Sequence, residues 1–271
     1  MPFERIAVKQ YLPESLKVPL RRVVSFFSTR HFKPYIKKKN VEGIVFDFWI
    51  GDLDSRNWYD LHCQDPQWLE MRFIRDKMIQ PGDIVLESGA HHGCTTIVLS
   101  RWVGENGKVI AFEPVPANAS IIRKNIELNQ IKNVWLESKA VGATSGHKVK
   151  ISGNSNSSVR ALGQGREVDL TCLDQYEYLN PTFLKVDVEG FEVEVLKGAQ
   201  RILRKRPKLA IEVHPEALPG YGTSVQELLS LINLASYEWW VQWDDDQYPQ
   251  PYNLTTLTTK RAHLFGIPKS N

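Results

Sequence analysis

Cysteine is scarce in this chain of 271 residues, and long apolar runs are missing. Cys63, Cys94 and Cys172 are an odd number and lack zinc-site spacing, which excludes a disulfide framework and indicates reduced thiols. No apolar stretch reaches the roughly 18 residues that a spanning helix needs. The most apolar N-terminal decamer, residues 18–27, contains two arginines and no cleavage pattern, so we expect no secretory signal and a cytoplasmic protein.

Charge is distributed unevenly along a chain of otherwise ordinary composition. Hydrophobic residues make up 42% and charged residues 24%, which excludes a disordered or collagen-like protein. Residues 1–40 hold ten lysines and arginines against Glu4 and Glu14, although the net charge of the whole chain is only +3. This basic arm is interpreted either as a solvated appendage or as a segment attracted to a membrane surface, a nucleic acid or a phosphorylated substrate.

From Asp83 onward, short β-rich runs alternate with helical patterns, which predicts βαβ units and a parallel sheet of about seven strands. We therefore expect an α/β domain over residues 67–271, preceded by an N-terminal helical and β-like extension over residues 1–66. A strand pair or hairpin is expected within 43–58, and a short helix within 67–78. The Gly- and Ser-rich stretch within 141–170 is predicted to be a loop.

The segment Ile84–Gly93 joins a buried strand pattern to an acid and a glycine turn. Gly89 and Gly93 would let the backbone approach a ligand closely, and amides at the following helix start favour a carboxylate or phosphate. Glu87 suits an amino group or a fixed water. A tight turn without any ligand is the alternative interpretation.

Glu113 ends the next strand, at the point where a nucleoside presents its ribose hydroxyls. A carboxylate can accept hydrogen bonds from both hydroxyls, although Pro114 and Pro116 would also suit a capped loop into a helix. The dinucleotide fingerprint has a glycine where this chain has His91. The turn therefore suits S-adenosylmethionine better than NAD.

Two later strands also end in polar residues. Asp187 and Glu189 follow the strand at 183–187, and Glu212 and His214 alternate onto one face of the strand near 209–213. The carboxyl ends of parallel strands face one crevice, so these side chains are expected near Glu87 and Glu113. Helix capping by the acids and a surface hydrogen bond by the histidine are the alternatives.

The ordered motifs LESGAHHG, VIAFEPVPAN, KAVG, TCLD, FLKVDVEGFEVEVLKGA and IEVHPE resemble those of FkbM-type methyltransferases over roughly residues 67–215. The resemblance implies a class I methyltransferase fold, Rossmann-like, with a seven-stranded mostly parallel sheet, helices on both faces and an antiparallel last strand. It also implies transfer of a methyl group from S-adenosylmethionine to a hydroxyl of a sugar, glycan or other natural product. The implied cofactor contacts are Glu87, Gly89, Ala90, His91, Gly93, Glu113, Pro114, Lys139, Ala140, Val141 and Asp187. Glu87, His91 and His92 depart from the usual family pattern.

A hydroxyl acceptor must lose its proton while the methyl group is transferred in line. We assign the base role to His214, with Asp187 or Glu189 orienting the acceptor. In an alternative version, Asp187, Glu212 and His214 hold Mg²⁺, which lowers the pKa of the hydroxyl.

Three other functions are weighed against this one. An RNA methyltransferase would use the basic arm on phosphates, but the chain lacks the Asn/Asp-Pro-Pro-Tyr type of N-methylase motif. The glycine spacing disfavours an NAD-dependent oxidoreductase, and a non-catalytic protein that keeps the fold is the third alternative. Peripheral membrane contact by the arm and self-association stay open. Aromatic residues at 46–59, 68 and 239–243 are interpreted as core or as stacking faces for an acceptor.

Overall fold

The structure is a computed structural model that describes residues 32–62, 68–152, 158–159, 165–254 and 259–270. Most of the predicted basic arm, residues 1–31, therefore lies outside the described residues. In chain order the strands are β1 (Tyr35–Val41), β2 (Ile44–Ile50), β3 (Ile84–Ser88), β4 (Lys108–Phe112), β5 (Val134–Glu137), β6 (Ala140–Val141), β7 (Lys148–Ser152), β8 (Ser158–Val159), β9 (Arg166–Thr171), β10 (Phe183–Val186), β11 (Lys208–Val213), β12 (Tyr237–Gln242), β13 (Gln250–Pro251) and β14 (Ala262–Pro268). The α-helices are α1 (Leu53–Arg56), α2 (Leu69–Phe73), α3 (Cys94–Val103), α4 (Pro116–Leu128), α5 (Glu192–Lys197), α6 (Gln200–Arg204) and α7 (Val225–Ser230). Single π-helical segments follow α1 (Asn57–His62) and α2 (Ile74–Met78), and 3₁₀ turns lie at Leu173–Leu179, Leu218–Tyr221 and Leu234–Ser236.

The central sheet has eight strands in the order β13-β12-β14-β11-β10-β3-β4-β5. Strands β5, β4, β3, β10 and β11 pair in parallel, whereas β14 pairs antiparallel with both β11 and β12. The predicted mostly parallel sheet with an antiparallel last strand is thus confirmed. The short strand β13 adds one strand to the expected seven.

Apolar layers cover both faces of this sheet, as the alternation of side chains along buried strands requires. Leu86 and its counterparts on β4, β10 and β11 pack against α5, α6 and α7. Val85, one position earlier, faces the opposite layer, which contains residues of α2 and α3. Helices therefore lie on both faces, and the carboxyl ends of the parallel strands are left to form a crevice.

The N-terminal extension begins with the hairpin β1–β2, which turns at Glu42 and Gly43. The predicted strand pair within 43–58 is only half right, because its first strand starts earlier and β2 ends at Ile50. Asp52 caps α1 instead: its carboxylate accepts the backbone N–H of Ser55 at 2.7 Å. Phe46 and Phe48 of the hairpin lie in the same core layer as α3.

Asn125 of α4 and Asn129, the residue at the C-terminal cap of α4, hold the outer edge of this hairpin. The side-chain oxygen of Asn125 accepts the backbone N–H of Trp49 at 2.6 Å, and that of Asn129 accepts the backbone N–H of Asp47 at 3.1 Å. Asn129 also donates to the carbonyl of Asp47 at 2.7 Å. Edge groups that would otherwise face water are thus paired with the domain.

The loop predicted for the Gly- and Ser-rich stretch within 141–170 does not extend over the whole segment, because its described parts contain strands. Strands β7 and β9 pair antiparallel and form a second, four-stranded sheet in the order β6-β9-β7-β8. Ile151, Val168 and Leu170 alternate inward and pack with Val115 and Ala140, so the apolar alternation decided the structure there. Residues 153–157 and 160–164 lie outside the described part of the chain. Within the described residues, no helix is both long and apolar enough to cross a membrane.

Candidate active site

A cavity of about 640 Å³ opens at the carboxyl ends of the parallel strands. This is the edge at which strand topology places ligand sites in open α/β sheets. The predicted site residues that line it are Gly89, Ala90, His91, Glu113, Pro114, Lys139, Ala140, Val141, Asp187, Glu189 and Glu212. Glu87, Gly93 and His214 lie behind this wall.

The glycine turn after β3 is shaped by its neighbour, the turn after β10. Gly89 has a φ of +91°, and a Cβ at this position would lie 1.8 Å from the carbonyl oxygen of Asp187. The backbone N–H groups of Gly89 and Ala90 both donate to the carbonyl of Phe112, at 3.1 Å. Glycine is therefore required for backbone packing, a different reason from the ligand approach that the sequence suggested.

Glu87 stabilises the same turn from below. Its carboxylate is fully buried and accepts hydrogen bonds from the hydroxyls of Thr95 and Thr96 at the start of α3. Burial raises the pKa of Glu87, against the opposing charge of Lys185 and the two hydroxyl bonds. Because both oxygens are engaged within the protein, the structure gives Glu87 a supporting position, and its contact with an amino group stays a prediction.

Glu113 combines burial with exposure to the cavity. Its oxygens accept the backbone N–H of His91 at 2.9 Å and of Val115 at 2.8 Å, and Asn118 donates to it at 3.3 Å. Burial raises the pKa of Glu113 to about 8, although these hydrogen bonds oppose the shift. Each carboxylate oxygen has two lone-pair directions, and three of these four positions are used, so one acceptor position on Oε2 remains for a ribose hydroxyl.

The two histidines that depart from the family pattern form a neutral stack inside the turn. The rings of His91 and His92 stack with their centroids 4.0 Å apart and an interplanar angle of 27°, and Nδ1 of His91 lies 2.8 Å from the Tyr59 hydroxyl. His91 also has a φ of +53°, which non-glycine residues adopt rarely. Burial lowers the pKa values of His91 and His92 to about 3 and about 4. The stack joins the N-terminal extension to the turn without adding charge to the cavity.

One end of the cavity is apolar and suits a planar ring. Ala140 and Val141 of β6 line it, together with Ile151 of the second sheet and Phe112 and Phe191. Lys139 lies beside them and pairs with Glu137 at 2.7 Å. The residues predicted to flank an adenine therefore line the same cavity as Glu113, and their contact with an adenine stays a prediction.

Asp187 lies between this apolar end and a charged end. Its carboxylate is half-buried, and one oxygen is 3.8 Å from Nζ of Lys185. Burial and the charge of Glu212 raise the pKa of Asp187 to about 7, against the opposing charge of Lys185. A carboxylate that titrates near neutrality is suited to exchange a proton with a bound ligand.

His214 is held among three carboxylates. Its Nδ1 lies 2.7 Å from Glu192, and its Nε2 lies 3.5 Å from Glu212 and 3.7 Å from Glu189. Burial alone would lower the pKa of His214, but the hydrogen bonds to Glu192 and Glu212 raise it to about 11. The imidazole therefore keeps its proton near neutral pH, which argues against the base role that we assigned to it.

Asp187, Glu212 and His214 do come together as predicted. One ligand atom of each lies within 4.8 Å of the others, a spacing that a metal ion could bridge. Arg261, however, already donates to Glu212 at 2.7 Å. Arg261 and the protonated His214 therefore already supply positive charge to this cluster.

Several polar residues of the charged end escaped the sequence analysis. Lys185 could have been found, because it lies two positions before Asp187 on β10 and strand alternation puts both on one face. Glu70, Arg261 and His263 had no such signal, since they come from α2 and from the region of β14, far apart in the chain. Trp58 and Trp68 also line the cavity, which supports the stacking interpretation for these two aromatics.

A mostly parallel sheet with an antiparallel last strand, whose carboxyl edge carries a cavity lined by the turn after β3 and by Glu113, is the architecture of class I S-adenosylmethionine-dependent methyltransferases. The model of the methyltransferase FkbM domain matches residues 87–238, more than half of the chain. The chain belongs to this family.

Individual relatives are more distant. Over 167 residues the chain is 25% identical to the hexuronic acid methyltransferase AglP of Haloferax volcanii, covering 57% of this chain and 64% of that protein. Over 120 residues it is 28% identical to the tRNA (adenine(57)-N(1)/adenine(58)-N(1))-methyltransferase TrmI of Methanocaldococcus jannaschii, covering 35% and 43%. The matches thus span less than two thirds of either relative. A crystal structure of an FkbM methyltransferase from Methylobacillus flagellatus aligns at 16% identity and a TM-score of 0.46, over 73% of this chain and 53% of that one.

Proposed function

We propose that this methyltransferase acts on oxygen, methylating a hydroxyl of a sugar, glycan or other natural product. The supporting observation is the position of Asp187, whose carboxylate lies in the cavity between the apolar, ribose-type end and the charged end. When bound, S-adenosylmethionine supplies an electrophilic methyl group. Glu113 would hold its ribose, and Ala140 and Val141 would flank its adenine.

Within this proposal we move the base role from His214 to Asp187. The acceptor hydroxyl must meet an unprotonated group, and with a pKa of about 7 Asp187 is largely ionised in mildly alkaline solution. The role of the protonated His214 is then electrostatic, because its positive charge balances the negative charges of Glu212 and Glu189. Glu189 also lines the cavity and is placed to orient the acceptor.

The metal-assisted version of the mechanism makes a separate prediction. Because Arg261 and His214 already supply positive charge to Glu212, we expect no requirement for Mg²⁺. The rate of S-adenosylhomocysteine formation should be unchanged after dialysis against EDTA. A loss of activity that added Mg²⁺ restores would instead assign Asp187, Glu212 and His214 as its ligands.

RNA methylation is the second candidate, because of the basic arm and the partial match to TrmI. The cavity disfavours it: seven carboxylates line the wall, against three lysine and arginine side chains. Phosphates approaching this opening would meet net negative charge. RNA binding that weakens steeply with salt, and methylation of that RNA, would overturn the proposal.

Cofactor binding is tested by calorimetric titration with S-adenosylhomocysteine and, separately, with NAD. We expect binding of S-adenosylhomocysteine alone, weakened about tenfold in Glu113→Ala, because the hydrogen bond from the ribose to the Glu113 carboxyl is lost. Glu105→Ala, an exposed acid outside the cavity, is the matched control and should bind normally. A folded wild-type protein that binds neither ligand would favour the non-catalytic alternative.

A further inference from the structure

The charged end of the cavity is built largely by segments that flank the shared domain. Glu70 lies on α2, and Arg261 and His263 lie at the start of β14, all outside the matched residues 87–238. Only Lys185 and Glu212 come from strands within the match. The cofactor end, in contrast, lies inside it, so the flanking segments are the natural place for acceptor recognition.

Donors and acceptors alternate around this end at distances that leave gaps. Nζ of Lys185 lies 3.9 Å from Oε1 of Glu70, and Nδ1 of His263 lies 3.8 Å from the same oxygen. Nδ1 of His263 also lies 3.8 Å from Oε2 of Glu212. Direct N–H···O bonds are about 2.7–3.2 Å long, so these pairs are too far apart to satisfy one another.

A hydroxyl group fits each gap, because it donates and accepts at once. An oxygen about 2.8 Å from both members of a pair can accept from the cation and donate to the carboxylate. The surroundings are shielded from bulk solvent: the side chains of Lys185, Glu70, His263 and Glu212 are each no more than 9% exposed. Hydrogen bonds made there are stronger than those in water.

Aromatic side chains complete the wall. Trp58 and Trp68, which also precede the matched segment, line the same cavity. Their flat apolar faces suit the C–H face of a sugar ring, whose edge carries the hydroxyls.

We propose that Glu70, Lys185, Glu212 and His263 form the acceptor subsite and bind adjacent hydroxyls of a sugar ring. Within this subsite, Glu70 and His263 determine which sugar is accepted. This inference rests on the proposed function, since it assigns the acceptor side of the same cavity. Arg261 is a positioning residue, because it fixes Glu212 at 2.7 Å and is itself held by Asp245.

The test uses the full chain saturated with S-adenosylhomocysteine and four probes, the methyl glycosides of glucose, galactose, mannose and glucuronic acid. Saturation-transfer NMR measures their binding, and S-adenosylhomocysteine formation from S-adenosylmethionine measures turnover. For the tightest probe we expect Glu70→Gln and His263→Gln each to raise Kd or KM about tenfold or more. The exposed Glu238→Gln, on the outer face of β12, should leave both unchanged.

Monodeoxy analogues of the same probe sharpen the result. Removing the hydroxyl that Glu70 binds should weaken wild-type binding, but should have little further effect in Glu70→Gln. Unchanged cofactor affinity shows that each variant is folded. Probe binding that is equal in wild type and both variants would overturn the subsite, as would the absence of binding by all four probes.

The outcomes separate this inference from the proposed function. Loss of S-adenosylhomocysteine binding in the wild type would remove the cofactor assignment itself. A probe that binds through Glu70 and His263 but is not methylated would support the subsite and contradict O-methylation of that sugar.

Discussion

Asp187→Asn is expected to lower kcat about 10²–10⁴-fold, the range that a general base contributes. The amide has nearly the same shape but cannot take the acceptor proton. Affinity for S-adenosylhomocysteine should stay within a few-fold of wild type, because the proposed ribose and adenine contacts belong to Glu113, Ala140 and Val141. Single-turnover assays and calorimetry measure the two quantities independently.

The dependence of kcat on pH also tests the role of Asp187 as the base. The base must be unprotonated, and the pKa of Asp187 is about 7, so kcat should rise with pH up to about 7 and level off above it. The rising limb should be missing from the residual activity of Asp187→Asn. The charged groups around Asp187 that shift its pKa, and therefore the pH at which kcat rises, are Glu212, Glu70, Lys185 and His214.

Two further variants test whether the base is Glu189 or His214 instead of Asp187. Glu189→Gln should have a smaller effect on kcat, because this carboxylate is more exposed and contacts His214 at 3.7 Å. If His214→Gln abolished turnover while Asp187→Asn retained it, the base role would return to His214. The raised pKa of His214, about 11, makes that outcome unexpected near neutral pH.

The sequence predicted the parallel sheet, and the meeting of Gly89 and Glu113 at one cavity, because both are encoded locally. The run at 84–93 contains a strand, its terminal acid and the turn glycines, and Glu113 closes the next strand in the same way. Parallel topology then requires these strand ends to meet at one edge. Position in the fold followed from position in a strand, without any knowledge of tertiary contacts.

Interactions between distant segments could not be predicted in this way. The hydrogen bond between His91 and Tyr59 depends on a contact between the turn and the extension. His214 was expected to act as a base, but Glu192, 22 residues earlier at the start of α5, lies 2.7 Å from its Nδ1 and holds its proton. The pKa of a buried group is set by all neighbours that surround it, and most of these are remote in sequence.

Gly89→Ala is expected to lower the free energy of unfolding by roughly 2–5 kcal/mol, the combined cost of a left-handed alanine and of overpacking. With its φ of +91°, the new Cβ would lie 1.8 Å from the carbonyl oxygen of Asp187, so the turns after β3 and β10 must separate. That movement displaces both the cofactor turn and the proposed base. Affinity of the folded variant for S-adenosylhomocysteine should therefore fall at least tenfold.

Gly82→Ala separates the collision from the backbone strain. Gly82 has nearly the same φ, +90°, but no atom lies within 4 Å of its added Cβ. It should therefore lose only about 1–2 kcal/mol and bind S-adenosylhomocysteine normally. Urea unfolding followed by tryptophan fluorescence, with calorimetry on each folded variant, compares the two. Equal losses of stability and unchanged binding in both would contradict the backbone contact between Gly89 and Asp187, and with it the reason for glycine in the turn.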